Sequence, residues 1–213
     1  MARMAGVDAV ETRNRILEVA EDLFAGKGFD ATGIDEIAKS AEITKSVIYY
    51  HFKNKDDIRT TLIRRFIDEI MDLKRQRSVE FVQGEVSIDD SIIGMIDFFK
   101  EHEKTVRILM MQSMTDSSRN PLLNLWDQNI GIARQYRQIL FGEPFEEHAK
   151  DNFLDVYFLA LVPLLSYFAF ADNWCAHYGL ERTEADRIFA RSLETMYAKF
   201  MLPEYGIDVD KEG

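Results

Sequence analysis

The sequence is poor in the residues on which several protein classes depend. It has a single cysteine, Cys175, so no disulfide forms within the chain, and a cytoplasmic rather than a secreted protein is expected. Four prolines and eleven glycines among 213 residues are too few for a turn-rich β-sandwich. Positive charge is also scarce, since 26 Lys and Arg face 37 Asp and Glu, for a formal net charge of −11. Averaged over the chain, this charge argues against a nucleic-acid partner.

Long hydrophobic runs are missing too, with one exception. Residues 156–171 are apolar, between Asp155 and Asp172, and contain Pro163. A membrane-spanning helix needs about 20 apolar residues, so this shorter stretch favours a buried core helix. The N-terminus is too polar for a signal peptide. With 46% hydrophobic and 30% charged residues, the composition is that of a globular protein with a core of its own.

The apolar residues recur at helical spacing nearly throughout, which predicts an all-α fold of about nine helices. Thr12 is the expected cap of the first helix, which ends at 26–28. Thr32 and Asp35 have the spacing of a capping box before a second, short helix over 34–41.

A third short helix is predicted over 45–51, and Asn54 is the expected cap of a long fourth one. A longer helix followed by two short ones predicts a helix-turn-helix unit. Ala38 is small where the two short helices approach each other, and Glu42 occupies the turn between them. The second helix of such a pair presents its N-terminal side chains to a DNA groove.

The local charge of this region differs from that of the whole chain. Residues 1–60 hold 9 basic and 11 acidic side chains, whereas 61–213 hold 17 and 26. From Ile43 to Lys55 there is no acidic residue, and lysines alternate with aromatic side chains. The net charge averages over this short basic segment and therefore does not exclude DNA as a partner.

The segment Thr44–Lys55, with the sequence TKSVIYYHFKNK, resembles the recognition-helix signature of the TetR (tetracycline repressor) family. The segments Ile34–Ala41 and Leu23–Phe29 are similar to the same family, so the resemblance covers about residues 12 to 60. Family members are dimeric transcriptional regulators, usually repressors that a small molecule in the C-terminal domain releases from DNA. The resemblance implies a helix-turn-helix DNA-binding domain over 1–54, with the connecting helix starting at 55, and a larger helical ligand-binding and dimerisation domain over 55–213.

The resemblance also implies residue roles. Lys45, Ser46 and Val47 lie at the start of the recognition helix, where a lysine donates to guanine and valine methyls contact a thymine methyl. The backbone N–H groups of Thr32 or Gly33 are expected to meet a phosphate.

Tyr49, Tyr50 and His51 look like the group that contacts the DNA backbone, and Lys55 looks like a phosphate anchor at the next helix's N-terminus. The complete candidate DNA-binding set is Thr32, Gly33, Thr44, Lys45, Ser46, Val47, Tyr49, Tyr50, His51, Lys53 and Lys55. Many relatives carry glycine where this chain has Glu42. A left-handed conformation there costs roughly 1 kcal/mol, and a carboxylate facing phosphate adds repulsion. Either Glu42 points away from DNA or the turn is rearranged.

The C-terminal part contains candidates for two further sites. The bulky residues expected to line a ligand pocket are Met110, Met111, Met114, Trp126, Tyr136, Tyr157, Phe158 and Phe168. Ordinary core packing is the alternative for each of them. The candidate dimer interface consists of Leu161, Leu165, Phe189, Leu193, Met196 and Phe200. The apolar helix over 150–177 is either a central core helix or a helix that pairs with its copy across a two-fold axis. Both interpretations apply if one face of the helix packs into the core and the other face pairs with the copy.

The preferred interpretation is a cytoplasmic, dimeric repressor that a small, largely apolar ligand releases from a palindromic operator in double-stranded DNA. The alternative is a helical DNA-binding interaction protein without a small-molecule effector. An enzyme is a weaker rival, because no HExxH, dinucleotide fingerprint or Ser-His-Asp set is found. We therefore expect no catalytic residue, metal, cofactor or membrane partner. Whether the protein represses or activates stays open.

Overall fold

The computed structural model describes residues 2–115, 120–141 and 156–196. These residues form nine α-helices and one π-helical segment, Val156–Leu161, and contain no strand. The helices are α1 Ala2–Lys27, α2 Ile34–Ser40, α3 Lys45–His51, α4 Lys55–Val82, α5 Ile88–Glu101, α6 Glu103–Thr115, α7 Pro121–Phe141, α8 Val162–Tyr178 and α9 Arg182–Met196. The predicted all-α class is confirmed.

The first three helices pack around one set of apolar side chains. Ile16 of α1, Ile37 and Ala38 of α2, and Ile48 of α3 are all buried, and Phe52 closes the set after α3. Each of the three helices contacts the other two. This is the predicted helix-turn-helix unit, and its packing fixes which side of α3 is turned outward.

Two of the predicted helix starts are wrong. Helix α1 begins at Ala2, so Thr12 lies within it and does not cap it. Gly33 is the N-cap of α2, and the buried Thr32 instead donates its hydroxyl to the carbonyl of Gly28 at 2.8 Å. The predicted cap of α4 is confirmed, since the Asn54 side chain accepts from the backbone N–H of Asp57 at 2.8 Å.

The first residue of α4 connects it to the loop between α1 and α2. The ammonium of Lys55 donates to the carbonyls of Phe29 at 2.7 Å and Thr32 at 2.8 Å, and it lies 4.1 Å from the centre of the Phe29 ring. In this structure the Lys55 ammonium thus bonds to the protein's own carbonyls, whereas the sequence predicts a contact with a phosphate. The spacing of residues along the sequence does not predict that these carbonyls accept from Lys55, because they belong to a loop more than 20 residues earlier in the chain.

The turn between α2 and α3 has the left-handed conformation expected at Glu42, with φ at +55°. The Ile43 N–H bonds to the Ala38 carbonyl at 3.0 Å, and the Ala41 N–H bonds to the Ile37 carbonyl at 2.9 Å. The turn is therefore not rearranged, and the strain of a side chain in this conformation is retained.

One continuous core connects the helix-turn-helix unit to the remaining helices. Ile58 and Phe66 of α4 are buried, and Phe66 contacts Phe99 of α5 with ring centres 5.9 Å apart. Phe99 stacks on Phe168 of α8 at the same centre distance. Buried aromatic contacts therefore connect α4, α5 and α8.

Helix α6 makes a second connection, because it packs directly on α1. The ammonium of Lys104 lies 2.7 Å from the carboxylate of Asp22, and the buried Thr105 donates to Glu21. Near the C-terminal end of α6, the Met111 side chain reaches Gly28. The helix-turn-helix unit is therefore held to the C-terminal part by both α4 and α6.

The apolar stretch predicted as one helix over 150–177 is interrupted. The π-helical segment ends at Leu161, and Pro163 lies in the first turn of α8. Proline has no N–H for the carbonyl of Leu159 four residues earlier, and a wider helical turn accommodates such a break. Residues 150–155 lie outside the described ranges.

Residues Tyr157–Tyr178 are long and apolar enough to cross a membrane, judged by length and composition alone. The core helix of a soluble protein passes the same test. Leu164, Leu165 and Phe168 of α8 are fully buried against the protein's own helices, as the sequence analysis expects of a core helix.

Replacing Glu42 by glycine should stabilise the protein by about 1 kcal/mol, because glycine adopts a positive φ without the clash of a Cβ. Chemical denaturation measures the free energy of unfolding. Glu42→Ala is the matched control, since it removes the carboxylate but keeps the Cβ. Equal stabilisation by alanine and glycine would show that charge, not backbone strain, is the cause.

Lys55→Met should destabilise the protein by about 1–3 kcal/mol, because two partly buried carbonyls lose a charged donor. Lys53→Met, at an exposed position two residues earlier, should change stability by less than about 0.5 kcal/mol. Denaturation of both variants tests the contact. No difference between them would contradict the structural role given to Lys55.

Candidate nucleic-acid interface

Helix α3 is anchored along one side and exposed along the other. Ile48 is fully buried, and the Phe52 ring is covered by the Arg13 guanidinium at 4.9 Å from its centre. On the opposite side Tyr49 is 55% exposed and Tyr50 is 80% exposed. Two large aromatic side chains in water are costly unless something covers them, so this side is a candidate contact surface.

The N-terminal end of α3 carries the expected polar groups. Thr44 is the N-cap residue, and its hydroxyl oxygen lies 2.8 Å from that of Ser46. The Lys45 ammonium lies 2.5 Å from a carboxylate oxygen of Asp35 in the first turn of α2, and both side chains are exposed. An exposed ion pair contributes little stability, so Lys45 can exchange this partner for another acceptor.

The C-terminal end of α3 combines aromatic and basic groups. The half-buried His51 ring packs edge-on against Tyr50, with centres 5.0 Å apart. The backbone N–H of Lys53 donates to the Asp57 carboxylate at 2.9 Å. The Lys53 side chain is exposed. Since Lys55 points inward, Lys53 is the lysine that presents its charge on this side.

The candidate DNA-binding residues therefore divide into two groups. Thr32 and Lys55 face the protein: the Thr32 N–H already bonds to the Phe29 carbonyl at 3.2 Å, so the expectation that it meets a phosphate is wrong. The others are exposed or half-buried around α3 and the start of α2, namely Gly33, Thr44, Lys45, Ser46, Val47, Tyr49, Tyr50, His51 and Lys53. Sequence reasoning missed Asp35, because its pairing with Lys45 depends on the angle between α2 and α3.

The residues expected to line a ligand pocket do not form one cluster. Three are exposed, namely Met111, Met114 and Phe158. Phe168 and Met110 belong to the core or pack against it, and Tyr136 lies on α7. Trp126 and Tyr157 come together, with their rings edge-to-face and 5.4 Å apart, and the exposed Phe158 meets the Tyr157 ring with centres 4.9 Å apart. Helical spacing did not separate core positions from surface positions here.

A different, polar cleft of about 750 Å³ lies between α4, α6 and α7. It contains none of the predicted pocket residues. Its lining is Asp56, Arg59, Thr60, Ile63, Arg64, Ile67, Asp68, Gln112, Asn120, Pro121, Leu123, Asn124, Asp127 and Gln128. Within the described ranges, no group of three or more His, Cys, Asp or Glu side chains is placed to hold a metal ion.

The expected dimer interface also needs correction. Leu165 and Leu193 are buried in the chain's own core, and the Phe189 ring stacks on Tyr167 at 3.8 Å. Leu161 and Met196 pack against the same core, and Phe200 lies outside the described residues. Of the described members of this set, Leu165 and Leu193 are thus core positions, whereas Leu161, Phe189 and Met196 are partly buried.

The exposed apolar side of α8 is formed by other residues. Phe170, Trp174 and Tyr178 follow one another at intervals of four and are 56%, 52% and 65% exposed. Ile188 on the neighbouring helix α9 is also exposed. The interval of four residues was visible in the sequence, but only the packing shows which side of the helix stays uncovered.

Comparison with known proteins identifies the N-terminal segment. Residues 16–61 match the model of the bacterial regulatory proteins, tetR family. The HTH-type transcriptional regulator AcrR of Shigella flexneri is 34% identical over 110 residues, which cover 52% of this chain and 51% of AcrR. The chain thus spans about half the length of this relative.

A longer but weaker match is the biofilm operon icaADBC HTH-type negative transcriptional regulator IcaR of Staphylococcus aureus, strain Newman. It is 26% identical over 155 residues, covering 70% of this chain and 80% of IcaR. Among solved structures, a transcriptional regulator from Aquifex aeolicus VF5 has a TM-score of 0.60 at 20% identity, covering 87% of this chain and 99% of that one.

The family match lies on the helix-turn-helix unit whose exposed α3 was described above. The similarity to the Aquifex structure extends the shared fold over most of the chain. The names of these relatives describe transcriptional regulators. By this match and this fold, the chain carries an N-terminal helix-turn-helix unit similar to that of the tetR family of bacterial regulatory proteins.

Proposed function

We propose that the chain is a cytoplasmic, DNA-binding transcriptional repressor that acts as a homodimer. The observation that carries this proposal is the outer side of α3, where Lys45 and the exposed Tyr49 and Tyr50 lie without an acidic residue on the helix. The names of AcrR and IcaR, which describe a transcriptional regulator and a negative transcriptional regulator, support it. DNA binding is assigned to residues 1–54 and ligand binding and dimerisation to 55–213.

In this proposal the N-terminal end of α3 reads bases. Lys45 donates to guanine, Ser46 hydrogen-bonds a base edge and the Val47 methyl groups contact a thymine methyl. The exposed Tyr49 and Tyr50 hydroxyls and the Lys53 ammonium lie further along, where they bond to phosphates and fix the position of the helix on the duplex. Lys45 must leave the Asp35 carboxylate to reach DNA, so Asp35 lowers the affinity of the protein for DNA.

The proposed dimer uses the exposed side of α8. Phe170, Trp174 and Tyr178 form an apolar stripe that a second copy covers around a two-fold axis, joined by Ile188 of α9. Two recognition helices on such an axis read a palindromic site, with half-sites one helical turn or a multiple of it apart. The buried side of α8 meanwhile remains part of the core, so the two faces of this helix serve different purposes.

We further propose that a small molecule bound in the C-terminal part releases the DNA. Because α4 and α6 connect this part to the helix-turn-helix unit, a shift in either changes the separation of the two recognition helices. The alternative, a DNA-binding interaction protein without an effector, is distinguished by the absence of any ligand-dependent rise in melting temperature.

Lys45→Ala should weaken binding to the selected DNA site by about 1–3 kcal/mol and relax the base preference at one position of each half-site. Asp35→Asn should do the opposite and tighten binding, because it releases the ammonium. Titrations of labelled DNA measure both effects. Lys104→Ala, which breaks an exposed ion pair on α6, is the control and should bind like the unaltered protein. An unchanged base preference for Lys45→Ala would contradict its assignment.

The double variant Phe170→Glu, Trp174→Glu should be monomeric, because four buried carboxylates would face one another across the two-fold axis. Light scattering after size-exclusion chromatography measures the mass. Met114→Glu alters an even more exposed apolar side chain on α6 and should remain dimeric. A dimeric double variant would place the interface elsewhere.

A further inference from the structure

Lys74 of α4 has a different kind of partner from several other lysines of the protein. The ammonium groups of Lys45, Lys100 and Lys104 each pair with a carboxylate. Lys74 is partly buried, and its ammonium donates instead to the neutral amide oxygen of Asn129 on α7. Among the described residues, no carboxylate lies within ion-pairing distance of it.

Lys74 and Asn129 both lie on helix faces whose neighbouring positions are apolar. On α4, Lys74 follows the buried Ile67 and Ile70 at helical spacing, so it lies on their face. On α7, Asn129 lies in register with the buried Leu122 and Leu125. A lysine and an amide thus face each other where two helices otherwise pack through aliphatic side chains.

Among the described residues, this arrangement gives the positive charge of Lys74 no counter-ion. Burial lowers the pKa of Lys74 to about 8, so the group still carries its charge at neutral pH. A buried charge destabilises a fold unless an opposite charge and hydrogen bonds compensate it. An amide oxygen supplies one hydrogen bond but no negative charge, so the site is suited to an anion.

Apolar surface lies next to the charge. Trp126 is one turn before Asn129 on α7, and its ring meets that of Tyr157 edge-to-face. The Tyr157 side chain is half-buried, and this burial raises the pKa of its hydroxyl. A charged group and an aromatic pair side by side match a ligand with one anionic end and an apolar body.

We propose that the effector of this regulator is an apolar organic acid, whose anionic group binds Lys74 and the Asn129 amide and whose apolar part packs beside Trp126 and Tyr157. The inference rests on the proposed function for the existence of an effector and adds its chemical class. The competing explanation is a polar pair that only fixes the register of α4 against α7, and it predicts no preference for acids.

The test compares acids with matched alcohols. Dodecanoate and naphthoate are titrated calorimetrically into the full chain, alongside dodecanol and naphthylmethanol, all below any micelle concentration. At least one acid should bind about tenfold or more tightly than its alcohol, as a charge-assisted hydrogen bond predicts. Equal affinity of acid and alcohol in both pairs, or no binding by either acid, would overturn the proposal.

Three variants test whether the preference for acids over alcohols depends on Lys74 and Asn129. Lys74→Met should lose it, whereas Arg75→Met, which removes the neighbouring outward charge paired with Asp72, should keep it. Asn129→Asp introduces the missing carboxylate without changing the shape of the side chain. It should unfold at the same or a higher temperature than the unaltered protein and yet no longer bind the acid. An acid preference retained by both Lys74→Met and Asn129→Asp would overturn the proposal.

The proposed function is checked separately in the same preparations. DNA binding by ligand-free protein tests it, and Lys74→Met should bind DNA like the unaltered protein. If neither binds a specific site, the regulatory function fails whatever the acids do. If the unaltered protein and Lys74→Met both bind a specific DNA site, and the protein binds acids no more tightly than alcohols, only the proposed effector class is wrong.

Discussion

The burial of Ile48 and Phe52 is the contact on which the proposed activity depends. These side chains lock α3 against α1 and α2, and this alone turns Lys45, Tyr49 and Tyr50 toward solvent. A recognition helix that rolled about its axis would present a different set of side chains to each base pair. The hydrophobic packing of a small unit therefore fixes the chemistry that DNA would meet.

The surroundings of α3 support this orientation. Lys55 joins the start of α4 to the α1–α2 loop, and the left-handed Glu42 allows α3 to turn back onto α2. The strain at Glu42 costs about 1 kcal/mol, which the buried contacts on either side offset. The acidic balance of the chain is compatible with DNA binding because the outer side of α3 carries no carboxylate of its own.

Much of the fold could be predicted from spacing. Helical periodicity and turn signals indicated the helix-turn-helix unit, the Asn54 cap and the class, because these depend on neighbours within a few residues. Two errors are local, since Thr12 and Thr32 do not cap their helices. The others concern partners in other elements: the Lys55 carbonyls, the Asp35 carboxylate and the core that covers Leu193. Spacing shows which residues share a helix face, but not whether the protein itself covers that face.

The most direct test of the central claim is selection of binding sites by the full-length chain from a pool of random DNA. A palindrome with half-sites one helical turn or a multiple of it apart is the predicted result, since it requires both an outward α3 and a two-fold dimer. Enrichment of no sequence, or of a single unrepeated half-site, would contradict the account.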